Sequence, residues 1–187
     1  MTQQTADAPQ PARYAATTRF LHWVAAVLII ATLPIGNIML QEELERSTQD
    51  FLFILHKNGG VIIFLLVVAR ILWRVGVPAP PMPATMPGWQ VTAARLAHWA
   101  LYGMLLVMTI SGYVRVRAGG FPIELLDALG IPSMVPRSDS LAETAQAIHR
   151  NARFVLVALI LVHVGAALQH AIKRDGVFSR IWPPVGR

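Results

Sequence analysis

Cysteine is absent from all 187 residues. That excludes a disulfide framework, a Cys-ligated iron–sulfur cluster, a thiolate zinc site and a covalent c-type haem. It also removes thiols as a guide to compartment. Charge is scarce: Asp, Glu, Lys and Arg make up 14% of the chain, against about 25% in an average soluble domain. Carboxylates are the scarcer sign, ten against sixteen Lys and Arg. With 55% hydrophobic residues and a mean hydropathy of +0.51, the composition excludes a disordered chain, a collagen-like fibre and an ordinary soluble globule. The net charge of +6 would suit nucleic acid, but so would a basic membrane protein until the charges are placed.

Long apolar runs are what the chain has in abundance. Four of them, about 20–40, 51–75, 93–114 and 148–172, each reach the roughly 20 residues that cross a ~30 Å hydrocarbon core. The first is too long for a signal peptide, and no small-residue cleavage site closes it. Residues 1–19, polar and small with Pro9 and Pro11, read as a flexible cytoplasmic leader. The proline-rich stretch Pro78 to Pro87 is a stiff, extended connection that cannot be helix. Arg115 to Ser140 is a longer loop, and 173–187 is a basic cytoplasmic tail. The sequence therefore predicts an all-α integral membrane four-helix bundle, up-down-up-down, with 20–172 as the transmembrane domain.

An even number of crossings puts both termini on one side. That side, with the second loop and helix ends, carries nine Lys and Arg against two carboxylates; the other carries seven against eight. The excess of cations puts both termini in the cytoplasm, and the chain reads as a multi-pass membrane protein. It also explains the basic balance with no nucleic acid, the lipid bilayer being the partner.

Ionisable residues inside a span are costly and mark function by default. Six histidines lie in or at the ends of these helices: His22, His56, His98, His149, His163 and His170. His149 and His163 are 14 residues apart, about 40° short of four full turns and about 21 Å along the axis, so both face the same way at opposite depths. Depth pairs His56 with His149 outside and His22 with His163 inside. Two imidazoles facing across a bundle core suit a six-coordinate haem iron better than zinc, which needs more ligands at each level. Small residues follow the candidate ligands on the same face: Gly59 and Gly60 after His56, Ala25 and Ala26 after His22, Ala166 and Ala167 after His163. They would let a flat macrocycle lie close; ordinary small-residue helix packing explains them too. Arg70 is also 14 residues from the histidine of its helix. It is placed at the inner level, where a propionate or a quinone oxygen is its natural partner, unless it snorkels to the headgroups. His98 lies in Arg95-Leu96-Ala97-His98-Trp99, the same R-x-x-H-W pattern as Arg19-Phe20-Leu21-His22-Trp23. Spacing alone does not decide which of the two pairs with His163. His170, seven residues beyond His163, is a candidate quinone or proton-transfer residue.

These features together resemble the prokaryotic cytochrome b561 family, which also includes the cytochrome b subunits of nickel–iron hydrogenases and formate dehydrogenases. The carrying residues are His22-Trp23, His56-x-x-Gly59-Gly60, Arg70-x-x-Trp73-Arg74, His98-x-x-x-Tyr102, and His149 with His163 and His170. The resemblance runs from about Tyr14 to Trp182. It implies two non-covalent haem b, the cytoplasmic one held by His22 and His163 and the periplasmic one by His56 and His149. His98 is then a haem-edge or quinone-side residue.

The short chain is similar to stand-alone members of superoxide:ubiquinone oxidoreductase type. The implied function moves electrons between a periplasmic donor, superoxide or a redox protein, and the membrane quinone pool. Arg115, Arg117, Arg137, Arg150 and Arg153 could steer an anion to the outer face, whereas Glu42, Glu43, Glu45 and Asp50 would suit a basic periplasmic protein. Two other readings stay open. One is an anchor and electron-conducting subunit of a larger dehydrogenase, with no substrate of its own. The other is a four-span structural or proton-handling protein without haem. A homodimer is compatible with the sequence, and no motif decides it.

Overall fold

A computed structural model of the chain describes residues 12–183. Among the described residues there are helices and turns and no strand. The order is α1 (Ala16–Ile38), α2 (Arg46–Gly76), α3 (Gly88–Ala118), α4 (Glu124–Ala128), α5 (Asp139–Lys173) and a 3-10 turn at Phe178–Arg180. α1, α2, α3 and α5 are long and apolar enough to cross a membrane. At 23 to 35 residues they are about 35–52 Å long, so their ends overshoot the hydrocarbon.

Each helix therefore runs past its apolar stretch. α1 already begins at Ala16, inside the segment read as a leader; residues 1–11 lie outside the described residues. α5 begins at Asp139, well before its apolar run, because Ser138 caps it: the Ser138 hydroxyl accepts the Leu141 N–H at 3.3 Å. Lipid offers backbone groups no partners, so the spans must satisfy them internally, which helices do. Hydroxyls inside the spans bond back to their own helix, Thr32 to the Leu28 carbonyl at 2.7 Å and Thr109 to that of Leu105 at 2.8 Å.

α1 packs on α2, α2 on α3, and α3 most extensively on α5. The buried apolar side chains include Ala25, Ile63, Val67, Met108, Ala152 and Leu156, whereas Val75, Leu161 and Ile172 face outward. Lipid tails are as apolar as Leu, so an outward-facing Leu or Ile costs nothing in a bilayer, and packing between the helices holds them together.

Both ends of the helix set are closed by polar contacts. At one end the two ends of the described chain meet: the Tyr14 N–H donates to the Arg180 carbonyl at 3.1 Å. The indole of Trp23 donates to the Ile181 carbonyl at 3.1 Å, and Arg19 to that of Pro183 at 2.7 Å. Arg180 is buried, lies over the Tyr14 ring, and donates to the Met82 sulfur and the Pro80 carbonyl of the proline-rich connection. The basic tail, up to Pro183, is thus tied to α1 and to that connection.

At the other end α4 and its flanks are fastened to α2 at the two residues that follow His56. Lys57 bonds the Glu124 carboxylate at 2.6 Å and the Pro122 carbonyl at 2.8 Å, and Asn58 bonds Glu124 and the Leu125 N–H. Burial pushes the Glu124 carboxyl up, but the bonds from Lys57 and Asn58 outweigh it and hold the group below the usual carboxylate range. A depressed folded-state value means stability that is present at neutral pH and lost as pH falls through that value. Glu124→Gln is therefore expected to lower the thermal midpoint by a few degrees at pH 7. Its deficit against the parent should shrink steadily on acidification, which a melting series across pH would read.

Candidate functional site

Two imidazole pairs face each other between helices. At the outer pair, His56 of α2 and His149 of α5, the ring centroids stand 6.1 Å apart. At the inner pair, His22 of α1 and His163 of α5, they stand 6.2 Å apart. An iron between two imidazoles would set the centroids about 6.2 Å apart, from about 2 Å per metal–nitrogen bond and about 1.1 Å from nitrogen to ring centre. Both pairs fit that span. His98 of α3 approaches His163 to 5.3 Å, about 1 Å short of it.

The outer ligand candidates are oriented by backbone. His56 donates from Nδ1 to the Thr32 carbonyl of α1 at 3.3 Å. His149 donates from Nδ1 to the Met108 carbonyl of α3 at 2.9 Å, with the Ser111 hydroxyl at 3.3 Å. A ring that donates from Nδ1 leaves the Nε2 lone pair for a metal, the usual arrangement of a ligating histidine. α1 and α3 thus position the outer pair without contributing to it. They also leave no slack behind the rings. A Cβ on Gly36 would stand 2.7 Å from His56 Cε1, and one on Gly112 3.1 Å from His149 Cε1.

Gly36 and Gly112 were not singled out in the sequence reading, yet a signal for them exists. Gly36 is 14 residues after His22 and Gly112 is 14 after His98, the same interval that separates His56 from Arg70 and His149 from His163. Every long helix therefore carries one residue at each of two levels. The outer level is Gly36, His56, Gly112 and His149; the inner is His22, Arg70, His98 and His163.

The inner level is the more polar. The Arg70 guanidinium donates to His22 Nδ1 at 3.2 Å and lies 5.6 Å from the Tyr102 ring centre. A neutral ring that accepts at Nδ1 carries its proton on Nε2, so ligation through His22 Nε2 requires this bond to be released. His98 donates from Nδ1 to the Ala94 carbonyl of its own helix at 2.6 Å. Gly59 and Gly60 separate here. A Cβ on Gly59 would meet the Thr32 hydroxyl at 3.3 Å, whereas nothing lies within 4 Å of one on Gly60. Gly59 serves the α1–α2 contact and Gly60 faces open space. His170 stands apart from the inner level, paired with Asp175 at 2.5 Å.

The five outer arginines differ in their partners. Arg117 is ion-paired to Asp127 at 2.6 Å, and hydrogen bonding from Arg117 holds that carboxyl below its usual range. Arg115 bonds Gln146 at 3.0 Å; Arg153 bonds Asn37 and lies over the Phe154 ring. Arg137 lies against Gly120, whose φ of 79° and lack of a Cβ both suit the close approach. Arg150 is exposed. Among the described residues Arg117 is the one of these five in an ion pair. Lys57, next to His56, is committed to Glu124.

Comparison with known proteins agrees with this architecture. The profile of the prokaryotic cytochrome b561 family matches residues 13–184. The chain is 31% identical over 173 residues to cytochrome b561 homolog 2 of Escherichia coli K12, covering 91% of this chain and 92% of that one. It is 26% identical over 174 residues to cytochrome b561 homolog 1 of the same organism, covering 91% and 97%. It is 26% identical over 164 residues to a probable superoxide oxidase of Yersinia pestis, covering 87% and 92%. With four membrane-length helices, paired imidazoles at two depths and a family match over nearly its whole length, the chain belongs to the prokaryotic cytochrome b561 family of membrane cytochromes.

Proposed function

We propose that this membrane cytochrome holds two haem b groups and moves electrons between a donor on the outer face and the membrane quinone pool. The observation that carries the reading is the recurrence of one imidazole separation, 6.1 and 6.2 Å, at two depths of the same helix set. His56 and His149 would hold the outer haem, His22 and His163 the inner. When bound, the two groups would supply one-electron carriers, each held by a pair of these imidazoles. Everything else falls to the chain.

Thr32 and Met108 aim the outer imidazoles through their carbonyls. Arg70, once it releases His22, offers its guanidinium to a propionate or a quinone oxygen at the inner level. His98 fills the remaining corner of that level, and His170 lies beyond it on the quinone side. The helices run up-down-up-down with both termini cytoplasmic, in the bacterial inner membrane.

Superoxide is the donor that the outer face suits best. Arg115, Arg137, Arg150 and Arg153 have no carboxylate partner among the described residues, so their charge is available to draw in a small anion. The test is superoxide-driven reduction of a short-chain ubiquinone by the purified holoprotein. The rate should fall with rising ionic strength, as screening demands. Arg150→Glu should lower it several-fold at low salt while leaving the haem spectrum unchanged. A salt-independent rate, equal in the variant, would remove superoxide steering.

A further inference from the structure

The connection between α3 and α5 turns back along the helices instead of arching over their ends. Its base is closed where α3 stops, the Ser138 N–H donating to the Ala118 carbonyl at 2.9 Å. From there it returns to the outer histidine level at two points. On α2, Asn58 accepts the Leu125 N–H at 3.0 Å and Lys57 donates to the Pro122 carbonyl at 2.8 Å. Both residues lie between His56 and Arg70, on the inner side of the outer level. On α3, the Tyr113 hydroxyl accepts the Met134 N–H at 2.9 Å, one residue past Gly112 of that level. A hydrocarbon core of ~30 Å centred on two levels about 21 Å apart extends about 4–5 Å beyond each. The residues that anchor the connection therefore lie within the hydrocarbon thickness.

Backbone at that depth has to be satisfied without water. The Phe121 N–H donates to the Val116 carbonyl at 3.0 Å and that of Ile123 to the Asp127 carboxylate at 3.1 Å. Gly130 donates to the Asp127 carbonyl at 3.0 Å and Ile131 to that of Leu126 at 2.9 Å. Pro122 and Pro132 have no N–H to satisfy.

Charge is handled in the same way. Between Gly119 and Pro136 the ionisable side chains are Glu124 and Asp127. Each is ion-paired at 2.6 Å, to Lys57 and to Arg117, as a surrounding of low dielectric requires. The apolar side chains divide. Ile123, 2% exposed, pins the segment to the helices, whereas Phe121, Leu129 and Met134 are 65%, 65% and 76% exposed.

We infer that residues 119–136 form a strap seated in the bilayer, with Phe121, Leu129 and Met134 at the boundary of headgroups and acyl chains in the leaflet on that side. Lipid is the occupant of this face for two reasons. The depth is that of acyl chains, and the paired carboxylates leave no net charge to draw a charged protein. The buried area of such side chains adds to the hold of the protein on that leaflet. The inference needs the four helices to cross a membrane and is independent of haem number, donor and quinone.

The test exploits the absence of cysteine, because a single introduced thiol carries a nitroxide at a known place. Leu129→Cys and Met134→Cys are labelled in the full chain in phosphatidylcholine nanodiscs, with Phe121→Cys as a third position should either label disturb the helical circular dichroism. Ser47→Cys, exposed and nine residues before His56, is the water control; Leu161→Cys, 67% exposed within α5, is the lipid control. Power-saturation electron paramagnetic resonance compares collisions with oxygen, which concentrates in lipid, and with a neutral nickel chelate, which stays in water. At positions 129 and 134 oxygen should dominate several-fold, as at 161, with the reverse at 47. Nickel access equal to that at 47 would put the strap in water and overturn the inference. Few collisions with either reagent would mean that protein, such as a second copy, covers the face, and would overturn lipid as its occupant. Nickel access at 161 as well would remove the membrane crossing itself.

Discussion

Replacing His56 or His149 with alanine is expected to remove one of two haems and leave the other in place. Replacing His22 or His163 should do the reverse. The two pairs are about 21 Å apart along α5 and share no side chain, so loss at one level leaves the other's ligands untouched. Pyridine haemochrome counting should find one haem per chain in each variant, and reduced-minus-oxidised spectra should lose a different component for the outer and inner sets. Quinone reduction from an outer donor should fall to background in all four, because either gap interrupts the path. His98→Ala is the discriminating control. Its ring stands too close to His163 for a shared iron, 5.3 Å between centroids against 6.2 Å for His22. The variant should therefore keep both haems. One haem in His98→Ala and two in His22→Ala would exchange the roles of the two residues and leave the inner level otherwise as described.

Gly36→Val is expected to lose the outer haem although position 36 ligates nothing. The added Cβ would stand 2.7 Å from His56 Cε1 and 3.1 Å from Nδ1, and the backbone behind it is rigid helix. The ring cannot simply slide, because its Nδ1 is held by Thr32 on the same helix. It must rotate, giving up the bond that aims Nε2. Outer haem affinity should fall about 10- to 100-fold, the usual cost of losing an orienting partner, with the inner haem unaffected. Gly112→Val should act in the same direction on His149, from a slightly longer 3.1 Å contact. Gly103→Val meets nothing within 4 Å and should bind both haems normally. Haem titration of the apoproteins reads the difference. A Gly36→Val protein that titrates like the parent would show that His56 has another rotamer fit for ligation.

Some features were readable one helix at a time. The interval of 14 residues between His149 and His163 sets both rings on one face of a helix at two depths, whatever the packing around it. The same interval hides Gly36 and Gly112, since a glycine announces nothing until the ring it accommodates is in view. Gly59 and Gly60 are neighbours with the same composition signal, yet one packs on Thr32 and the other faces open space. Only the position of α1 separates them. Lys57 reads as an outer cation next to His56, but a carboxylate 67 residues away neutralises it.

What the sequence determined by itself is the set of membrane-length helices, the two depths of histidine and the family to which the chain belongs. The helices and the depths follow from apolar run length and from 3.6 residues per turn, both local quantities, and the family follows from the resemblance of the motifs. What only the tertiary structure decided is which side chains share a space. It set the ring of His22 6.2 Å from that of His163 and the ring of His98 5.3 Å from it. It spent Arg117 on Asp127 and left Arg150 exposed, and it folded Asp175 onto His170. Such contacts depend on helix rotation, crossing and end turns, in which residues far apart in the chain settle each other's positions. A one-dimensional pattern fixes the face a residue is on, and the partner across that face is set by how the helices pack.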